Sequence, residues 1–237
     1  MRVVAALLLA WVVSGCTAMS NREDAYDPWE GMNRKTHAFN DAVDKAILKP
    51  VAQGYEKVTP AFVREGVNNF FGNLDDVGTS LNNFLQGKPG EGISDASRVV
   101  VNTVLGVFGL WDVATPMGLE KHEEDFGQTL GAWGVNPGPY LVIPLLGPST
   151  VRDAGAKFVD PQWYWPRALD NDTLYWSIWG FDKVRQRANL LKAEKVLDEA
   201  SLDKYTFLRD AWWQRRRNAV YDGKPPRDPE EEEPPKK

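Results

Sequence analysis

Apolar residues spaced three or four apart are the feature that most restricts how this chain can fold. Such spacing places apolar side chains on one face of a helix, and it recurs along most of the chain. Prolines and glycines divide it into segments. The pattern predicts helices over about 28–49, 60–86, 89–111, 122–131, 172–199 and 202–221, with a further helix starting near 149. We therefore expect a mainly α protein with little sheet.

The first and third predicted helices carry the clearest local signals. Asp27 is expected to cap the first, with Pro28 at its first position and Glu30 closing a capping box. The third is apolar on almost every side over 99–111, which is typical of a helix deep in a core or against lipid. It is shorter than the roughly 20 residues that cross a bilayer. We expect it to lie in a membrane or under neighbouring helices.

The N-terminus has the organisation of a bacterial lipoprotein precursor. Met1 and Arg2 precede an uncharged apolar stretch at 3–13, which has the length of a secretory signal core. Small residues then lead into Cys16, the single cysteine, which has no partner for an internal disulfide. We interpret residues 1–15 as a lipoprotein signal peptide and Cys16 as the lipidation site. An ordinary signal peptide with an incidental cysteine is the alternative.

The rest of the chain divides into three parts. Residues 16–26 are interpreted as a lipidated tether, 27–222 as a single domain with a sizeable core, and 223–237 as a disordered acidic and proline-rich tail. Thr17 follows Cys16, so the aspartate that retains lipoproteins in the inner membrane is absent there. We expect a lipid-anchored protein of the outer membrane of a Gram-negative bacterium, facing the periplasm.

The chain contains ten tryptophans, an unusually high number. Tryptophan has an apolar body and a polar N–H, which suits the boundary between lipid and water. The alternative is that these rings fill a soluble core. The membrane-interface candidates are Trp163, Trp165, Trp176, Trp179, Trp212 and Trp213.

Trp212 and Trp213 lie between Arg209 and the three arginines at 215–217. Arginine beside tryptophan suits a surface where anionic head groups meet acyl chains. A solvated helix end favoured by the helix dipole is an equal alternative, and an acidic protein partner is a third.

The stretch 131–148 contains four glycines and four prolines around one apolar run at 140–143. Proline is excluded from helix interiors and from central strands. The stretch is therefore predicted to be a loop or a loose hairpin with an apolar tip.

The sequence contains little that would support catalysis. His122 begins the run 122–125, but successive residues on a helix point in different directions, and no second histidine supports a metal site. His37 lies within a helical pattern, where a packed or surface role is favoured. Phosphate-binding loops and nucleophile elbows are absent, and the net charge of −5 argues against nucleic acid as a partner. We expect a protein that is not an enzyme and has no cofactor or metal.

Several sequence blocks, in order over about 27–155, resemble the VacJ/MlaA family of outer-membrane lipoproteins. They lie at 27–34, 39–40, 83–88, 102–106, 124–131, 133–135, 138–140, 147–149 and 152–153. The family-like residues at the predicted helix start are Asp27, Pro28, Trp29, Glu30, Asn33, Arg34, Phe39 and Asn40. From about 160 onward the likeness consists mainly of helical pattern and aromatic residues.

The resemblance implies a ring of amphipathic helices lying in the outer membrane around a channel. Members of this family remove phospholipid misplaced in the outer leaflet and pass it to a soluble periplasmic phospholipid-binding protein. A trimeric porin is the usual companion in the membrane. The implied partners are therefore outer-membrane lipids, the porin and the periplasmic carrier, and phospholipid is the transported ligand.

Beside the implied channel, we expect the glycine- and proline-rich hairpin to move. Its glycines would act as hinges and its apolar residues as a lip. The candidate residues are Gly131, Gly134, Gly138, Tyr140, Leu141, Val142, Ile143, Leu145 and Gly147. A static loop that covers the core is the alternative.

Two other function classes remain open at this point. A structural lipoprotein that scaffolds a porin or envelope complex would need one apolar contact face and no lined interior. A membrane-anchored lipid hydrolase would need a serine or histidine centre, which the sequence does not contain in a recognisable spacing.

Overall fold

The computed structural model describes residues 27–160, 171–200 and 203–226, with the backbone alone for 195–200. Within these ranges the chain is mostly helical, as predicted. Cys16, Trp163 and Trp165, together with the predicted signal peptide, the tether and most of the tail, lie outside the described residues. The helices are α1 (Glu30–Val43), α2 (Lys49–Val58), α3 (Ala61–Leu85), α4 (Pro89–Val104), α5 (Phe126–Ala132), α6 (Val151–Ala156), α7 (Asp172–Ala200) and α8 (Lys204–Val220).

Helix α1 begins differently from the prediction. Trp29 is its N-cap residue, and no side chain caps it. The carboxylate of Asp27 is buried and accepts hydrogen bonds from the Asn33 amide at 2.7 Å and from the Tyr205 hydroxyl. The prediction that Asp27 caps the helix is therefore wrong, because tertiary partners occupy the carboxylate.

The helix predicted to end at 49–50 instead continues beyond Pro50. A π-helical turn, Asp44–Leu48, joins α1 to α2, and Pro50 lies in the first turn of α2. Proline lacks the N–H that a regular helix interior requires, and the wider π turn immediately before it carries the chain on without a break. Helix α2 then packs against α7, where Ala52, Ala188 and Leu191 form a small buried cluster.

Helix α4 ends at Val104, so the prediction of a helix to 111 is wrong over its last turns. Val107, Phe108 and Gly109 have positive φ values of 51°, 58° and 86°. The chain turns back sharply here, and the Trp111 N–H donates to the carbonyl of Gly106 at 2.9 Å. Left-handed valine and phenylalanine are uncommon, and both side chains remain exposed. We call residues 105–111 the apolar loop.

A two-stranded antiparallel hairpin is the only sheet in the described part of the chain. Strand β1 (Tyr140–Ile143) pairs with β2 (Gly147–Thr150), and Ile143 lies opposite Gly147 at the turn. This confirms the predicted hairpin. Helix α6 follows β2 directly, with Thr150 as its N-cap.

Helix α5 is shorter than the segment predicted at 122–131. It begins at Phe126, and the carboxylate of its N-cap, Asp125, accepts a hydrogen bond from the Gln128 N–H. His122 therefore precedes the helix. No helix among the described residues is long and apolar enough to cross a membrane.

The polarity of the fold is inverted relative to an ordinary water-soluble domain. Of the buried residues in the described ranges, nineteen are polar or charged and nine are hydrophobic. On α1, Asn33 is buried while Met32 and Phe39 are exposed; on α3, Asp76 is buried while Phe62 is 75% exposed. Large apolar patches on a surface mark contact with lipid or protein. The apolar stripes read from the sequence thus lie largely on the outside.

Candidate functional site

The hairpin is attached to α1 by the amide of Asn33. The amide nitrogen of Asn33 donates to the Tyr140 carbonyl at 3.1 Å, and its oxygen accepts from the Val142 N–H at 2.8 Å. Both groups lie on the edge of β1 that β2 leaves unpaired. A buried backbone group without a partner is strongly unfavourable, so this asparagine replaces a neighbouring strand.

Asn40 repeats the same contact two turns later on α1. Its amide nitrogen donates to the Ile143 carbonyl at 3.0 Å, and its oxygen accepts from the Leu145 N–H at 2.8 Å. Leu145, at the tip of the turn, is 60% exposed and has a φ of +64°. We call these paired contacts the Asn33 clamp and the Asn40 clamp: the first is buried, and the second lies at the exposed tip.

The base of the hairpin rests on an aromatic cluster. Tyr140 is 1% exposed and packs with Val142 and Tyr205 against Trp212 and Trp213. Alternate residues of β1 thus face the interior, while Leu141 and Ile143 are half-buried. Of the residues predicted to form an apolar lip, Leu145 is the one that projects at the tip.

The hydroxyl of Tyr205 links this cluster to the start of α1 through Asp27. Burial raises the pKa of Tyr205, and the hydrogen bond to Asp27 raises it further. The phenol therefore remains a proton donor at every physiological pH. Asp27, Asn33, Tyr140 and Tyr205 form one connected polar and aromatic unit.

The four candidate hinge glycines differ in their surroundings. Gly134, Gly138 and Gly147 have φ values of +84°, +69° and +82°, a conformation that glycine adopts without steric strain. Gly131 lies inside α5, where a Cβ atom would approach Arg152 Nη1 and Val220 Cγ1 at 2.8 Å each. The structure thus places Gly131 at a close approach between elements and the other three at turns.

Behind the hairpin, Arg216 of α8 joins the N-terminal ends of α5 and α6. Its guanidinium donates to Asp125 at 2.7 Å and to Asp153 at 2.8 Å. Burial alone would raise the pKa of Asp125, but the hydrogen bonds and charge of Arg216 outweigh it and lower the pKa. Arg216 is thereby committed within the fold, and Arg215 remains exposed.

A second ionic network fills the space between α3 and α4. Arg98 is 1% exposed and contacts Asp76 at 3.2 Å and Asp112 at 3.2 Å. Burial alone would raise the pKa of Asp112, but hydrogen bonds from Thr115 and Asn102 and the charge of Arg98 lower it to about 2. Removing one partner of such a buried pair is strongly destabilising.

The four membrane-interface candidates that lie within the described ranges fall into two groups. Trp176 is 61% exposed and Trp179 is half-buried, with ring centroids 5.8 Å apart on α7. Trp212 and Trp213 are half-buried and pack on Tyr140 at 5.7 and 6.4 Å between ring centroids.

An open apolar groove of about 390 Å³ lies between α3 and α7. Leu110 of the apolar loop contributes to its lining. The lining residues are Val67, Phe70, Phe71, Leu110, Ser177, Ile178 and Phe181.

The described residues contain no group of three or more side chains placed to hold a metal ion. His122 Nδ1 instead lies 3.1 Å from the buried carboxylate of Asp95. What the arrangement offers chemically is a polar interior, an apolar exterior and an attached hairpin.

The sequence did not reveal the buried network around Arg98. The available signal was a charged residue at the edge of an apolar segment, followed by Asn102 and Asp112. Because charged residues are almost never fully buried unless paired, an arginine in that position implies an acidic partner. The spacing alone does not identify which one.

Comparison with known proteins gives a consistent result. A family model described as the MlaA lipoprotein matches residues 25–219. The Escherichia coli (strain K12) protein named intermembrane phospholipid transport system lipoprotein MlaA is 34% identical over 226 residues, covering 91% of this chain and 87% of its own. The Haemophilus influenzae protein of the same name is 30% identical over 236 residues, covering 94% of this chain and 91% of its own.

A solved structure is similar as well. It comes from work on the structural basis for maintenance of bacterial outer membrane lipid asymmetry, and its chain is 35% identical with a TM-score of 0.72. The match covers 84% of this chain and 99% of the solved chain.

Proposed function

Because this chain belongs to the MlaA lipoprotein family, we propose that it transports phospholipid between membranes and so maintains the lipid asymmetry of the outer membrane. It takes phospholipid that has reached the outer leaflet and moves it through an amphipathic passage toward the periplasm. It is a transport protein and not an enzyme.

The observation that carries this proposal is the inverted polarity of the fold. Polar residues such as Asp76, Asn83 and Arg98 are buried, while Phe62 and Phe108 are exposed. An apolar exterior suits helices that lie among acyl chains, and a polar interior suits the passage of a head group. Transfer of a two-tailed lipid through water would cost on the order of 20 kcal/mol, at about 0.8 kcal/mol per methylene. A passage with both kinds of surface lowers that barrier without an energy source.

The hairpin supplies a candidate gate for the passage. The Asn33 clamp is buried and fixes its base, whereas the Asn40 clamp lies at the exposed turn. Water can replace the Asn40 contacts when they break, so the tip can swing while the base stays attached. Leu145, at 60% exposure, is the apolar residue that such a movement would displace most.

Location and partners follow from the same proposal. Acylation of Cys16 would tether the protein to the outer membrane, and the exposed tryptophan Trp176 would lie at a lipid–water boundary. A trimeric porin is the proposed companion in the membrane, and a soluble periplasmic phospholipid-binding protein is the proposed acceptor.

A scaffold that moves nothing is less well supported. It would need one apolar contact face, whereas exposed apolar residues here occur on α1, on α3 and in the apolar loop. Nor would it need the buried charges between α3 and α4.

A disulfide across the Asn40 clamp tests the proposal. The variant Asn40→Cys/Leu145→Cys is expressed in a host that lacks its own family member, and outer-leaflet phospholipid is measured by surface labelling of its amines. The wild-type chain should clear this phospholipid, and the oxidised variant should clear it at least tenfold more slowly. Reduction of the same variant should restore clearance, which separates locking from loss of the asparagine. Clearance by the locked form at the wild-type rate would exclude the gate, and failure of the wild-type chain would exclude the transport function.

A further inference from the structure

The groove between α3 and α7 has an almost entirely apolar lining. Ser177 is the one lining residue with a polar side chain, and its hydroxyl donates to the Thr173 carbonyl at 2.7 Å. The groove therefore offers aromatic and aliphatic surface without an unsatisfied polar group. Its volume of about 390 Å³ lies within the range of roughly 300–1,000 Å³ that is typical of ligand sites.

One end of this groove is bordered by an ion pair. Arg185 follows Phe181 by one helical turn on α7, and its guanidinium lies 4.8 Å from the Phe71 ring centre. The same guanidinium donates to Asp182 at 2.9 Å and to Asn68 at 3.0 Å. Its hydrogen-bonding capacity is thus largely used within the protein.

Lys121 contacts α3 next to Phe71 and is also committed. Its ammonium donates to the Asp76 carboxylate at 2.7 Å and to the Gly72 carbonyl at 3.2 Å. Neither cation at this end is therefore available as the main contact for an anionic ligand.

Asp75 is different, because its carboxylate has no hydrogen bond among the described residues. It lies four residues after Phe71, on the same face of α3, and its side chain is exposed. Partial loss of solvation beside neighbouring side chains and the charge of Asp182 raise its pKa to about 6, while Arg185 and Lys121 act in the opposite direction. At neutral pH the group is mostly a carboxylate next to other acids, an environment that favours a cation.

We propose that the groove holds one acyl chain of a phospholipid in transit and that Asp75 receives the ammonium of its head group. The charges support this occupant: the uncommitted group at the polar end is an anion, and the rest of the site is apolar. The ligand class is a phospholipid with an amine head group, such as phosphatidylethanolamine. This inference rests on the proposed function and identifies one binding site, or station, on the route of the transported phospholipid.

Filling the groove tests the acyl-chain site. Ser177 is exposed, so Ser177→Trp places a large ring in the groove without displacing a buried side chain. Full-length protein extracted from vesicles of phosphatidylethanolamine and phosphatidylglycerol is washed in mild detergent, and bound lipid is counted by mass spectrometry. The variant should retain at least fivefold less phospholipid than wild type. Leu190→Trp, at an exposed position elsewhere on α7, is the matched control and should retain the wild-type amount.

Changing the carboxylate tests the head-group site. With equal amounts of the two lipids, the wild-type protein should retain several-fold more phosphatidylethanolamine than phosphatidylglycerol. Asp75→Asn should lose this preference, whereas Glu65→Gln, an exposed acid on another face of α3, should keep it. A preference unchanged in Asp75→Asn would overturn the ammonium assignment.

The outcomes separate this inference from the transport function. If Ser177→Trp retains lipid and clears the outer leaflet like wild type, while the locked hairpin does not, the groove is not a station and the transport function stands. If the wild-type chain neither retains nor clears phospholipid, both proposals fail. For a variant with reduced retention, an unchanged thermal unfolding midpoint shows that the fold is intact. Should that midpoint fall, Ile178→Ser, which leaves the groove open and makes it polar, must reduce retention for the proposal to stand.

Discussion

Two asparagines on α1, Asn33 and Asn40, hold the hairpin by hydrogen bonds to its backbone. The nitrogen of each side-chain amide donates to a hairpin carbonyl, and the oxygen accepts from the N–H two residues further on. Asn33 makes these contacts on the free edge of β1, and Asn40 makes them at the turn. An amide carries its donor and its acceptor on two separate atoms at the end of the side chain, so it can contact a carbonyl and an N–H at the same time. The seven-residue separation of Asn33 and Asn40 places both on one face of α1, about two turns apart.

Replacing these asparagines should have unequal effects on stability. Asn33→Ala leaves the buried Tyr140 carbonyl and Val142 N–H without partners, and each orphaned group costs about 1–3 kcal/mol. Asn40→Ala exposes its two partners to water at the turn, and we expect a loss of about 1 kcal/mol or less. Denaturant unfolding would measure both, and hydrogen exchange should accelerate at Val142 in the first variant and at Leu145 in the second. Equal losses at the two positions would contradict this assignment.

At this scale the sequence identified positions more reliably than roles. The family resemblance singled out Asn33 and Asn40, but their partners are more than 100 residues away along the chain. Asp27 is a residue whose local sequence signal predicted the wrong role. Its position before a helix is typical of a cap, yet its carboxylate bonds to Asn33 and Tyr205. Local rules cannot rank a cap against a tertiary contact.

Among the elements, the apolar loop departs most from its predicted form. Its composition favours a helix over 99–111, but the left-handed residues 107–109 turn the chain back after Val104. Gly106 permits this turn because glycine has no Cβ atom. A Cβ atom at this position would lie 2.1 Å from the Trp111 carbonyl oxygen, which is too close. The bounds of α7 and α8 follow the prediction closely.

Two glycine substitutions should shift stability in opposite directions. Gly106→Ala forces a Cβ atom against the Trp111 and Asn102 carbonyls, and we expect a loss of about 3 kcal/mol. Gly54→Ala, inside α2 with nothing within 4 Å of the new atom, should gain about 0.5–1 kcal/mol. Thermal unfolding of the two variants side by side gives the comparison. A neutral result at Gly106 would mean that the turn after α4 is not built as described.

At the scale of the whole molecule, polar networks occupy the inside and apolar faces the outside. The network of Arg98 with Asp76 and Asp112 fills space that aliphatic side chains would fill in a water-soluble bundle. Sequence periodicity predicted amphipathic helices but could not show which way they face. An apolar stripe has the same period whether it meets a core or a lipid.

A charge on an outward apolar position should weaken membrane association. The chain from residue 17 onward, which lacks the proposed acyl anchor, is mixed with phospholipid vesicles and sedimented. Phe62→Lys removes an aromatic ring worth about 1.5–3 kcal/mol when buried in an apolar medium, and Phe62 is 75% exposed to the surroundings. We expect at least about tenfold weaker binding, since 1.4 kcal/mol corresponds to a factor of ten.

Gln214→Lys, an exposed polar position on α8, adds the same charge and serves as the control. Its vesicle binding should equal that of the unmodified chain. A comparable loss in both variants would mean that charge alone, and not the apolar exterior, governs the association.

The inward placement of polar groups also reverses the usual guide to which substitutions a protein tolerates. At Phe62 or Ile93, exchange for leucine or methionine should hardly change stability, because fluid hydrocarbon accommodates apolar side chains of any shape. At Ser80 or Asn83, even an aliphatic replacement of similar size removes the donor that serves a buried partner, the Gly92 carbonyl or the Asp95 carboxylate. Among natural variants of this chain, substitutions should therefore accumulate at the exposed apolar positions, while the buried polar residues stay constant.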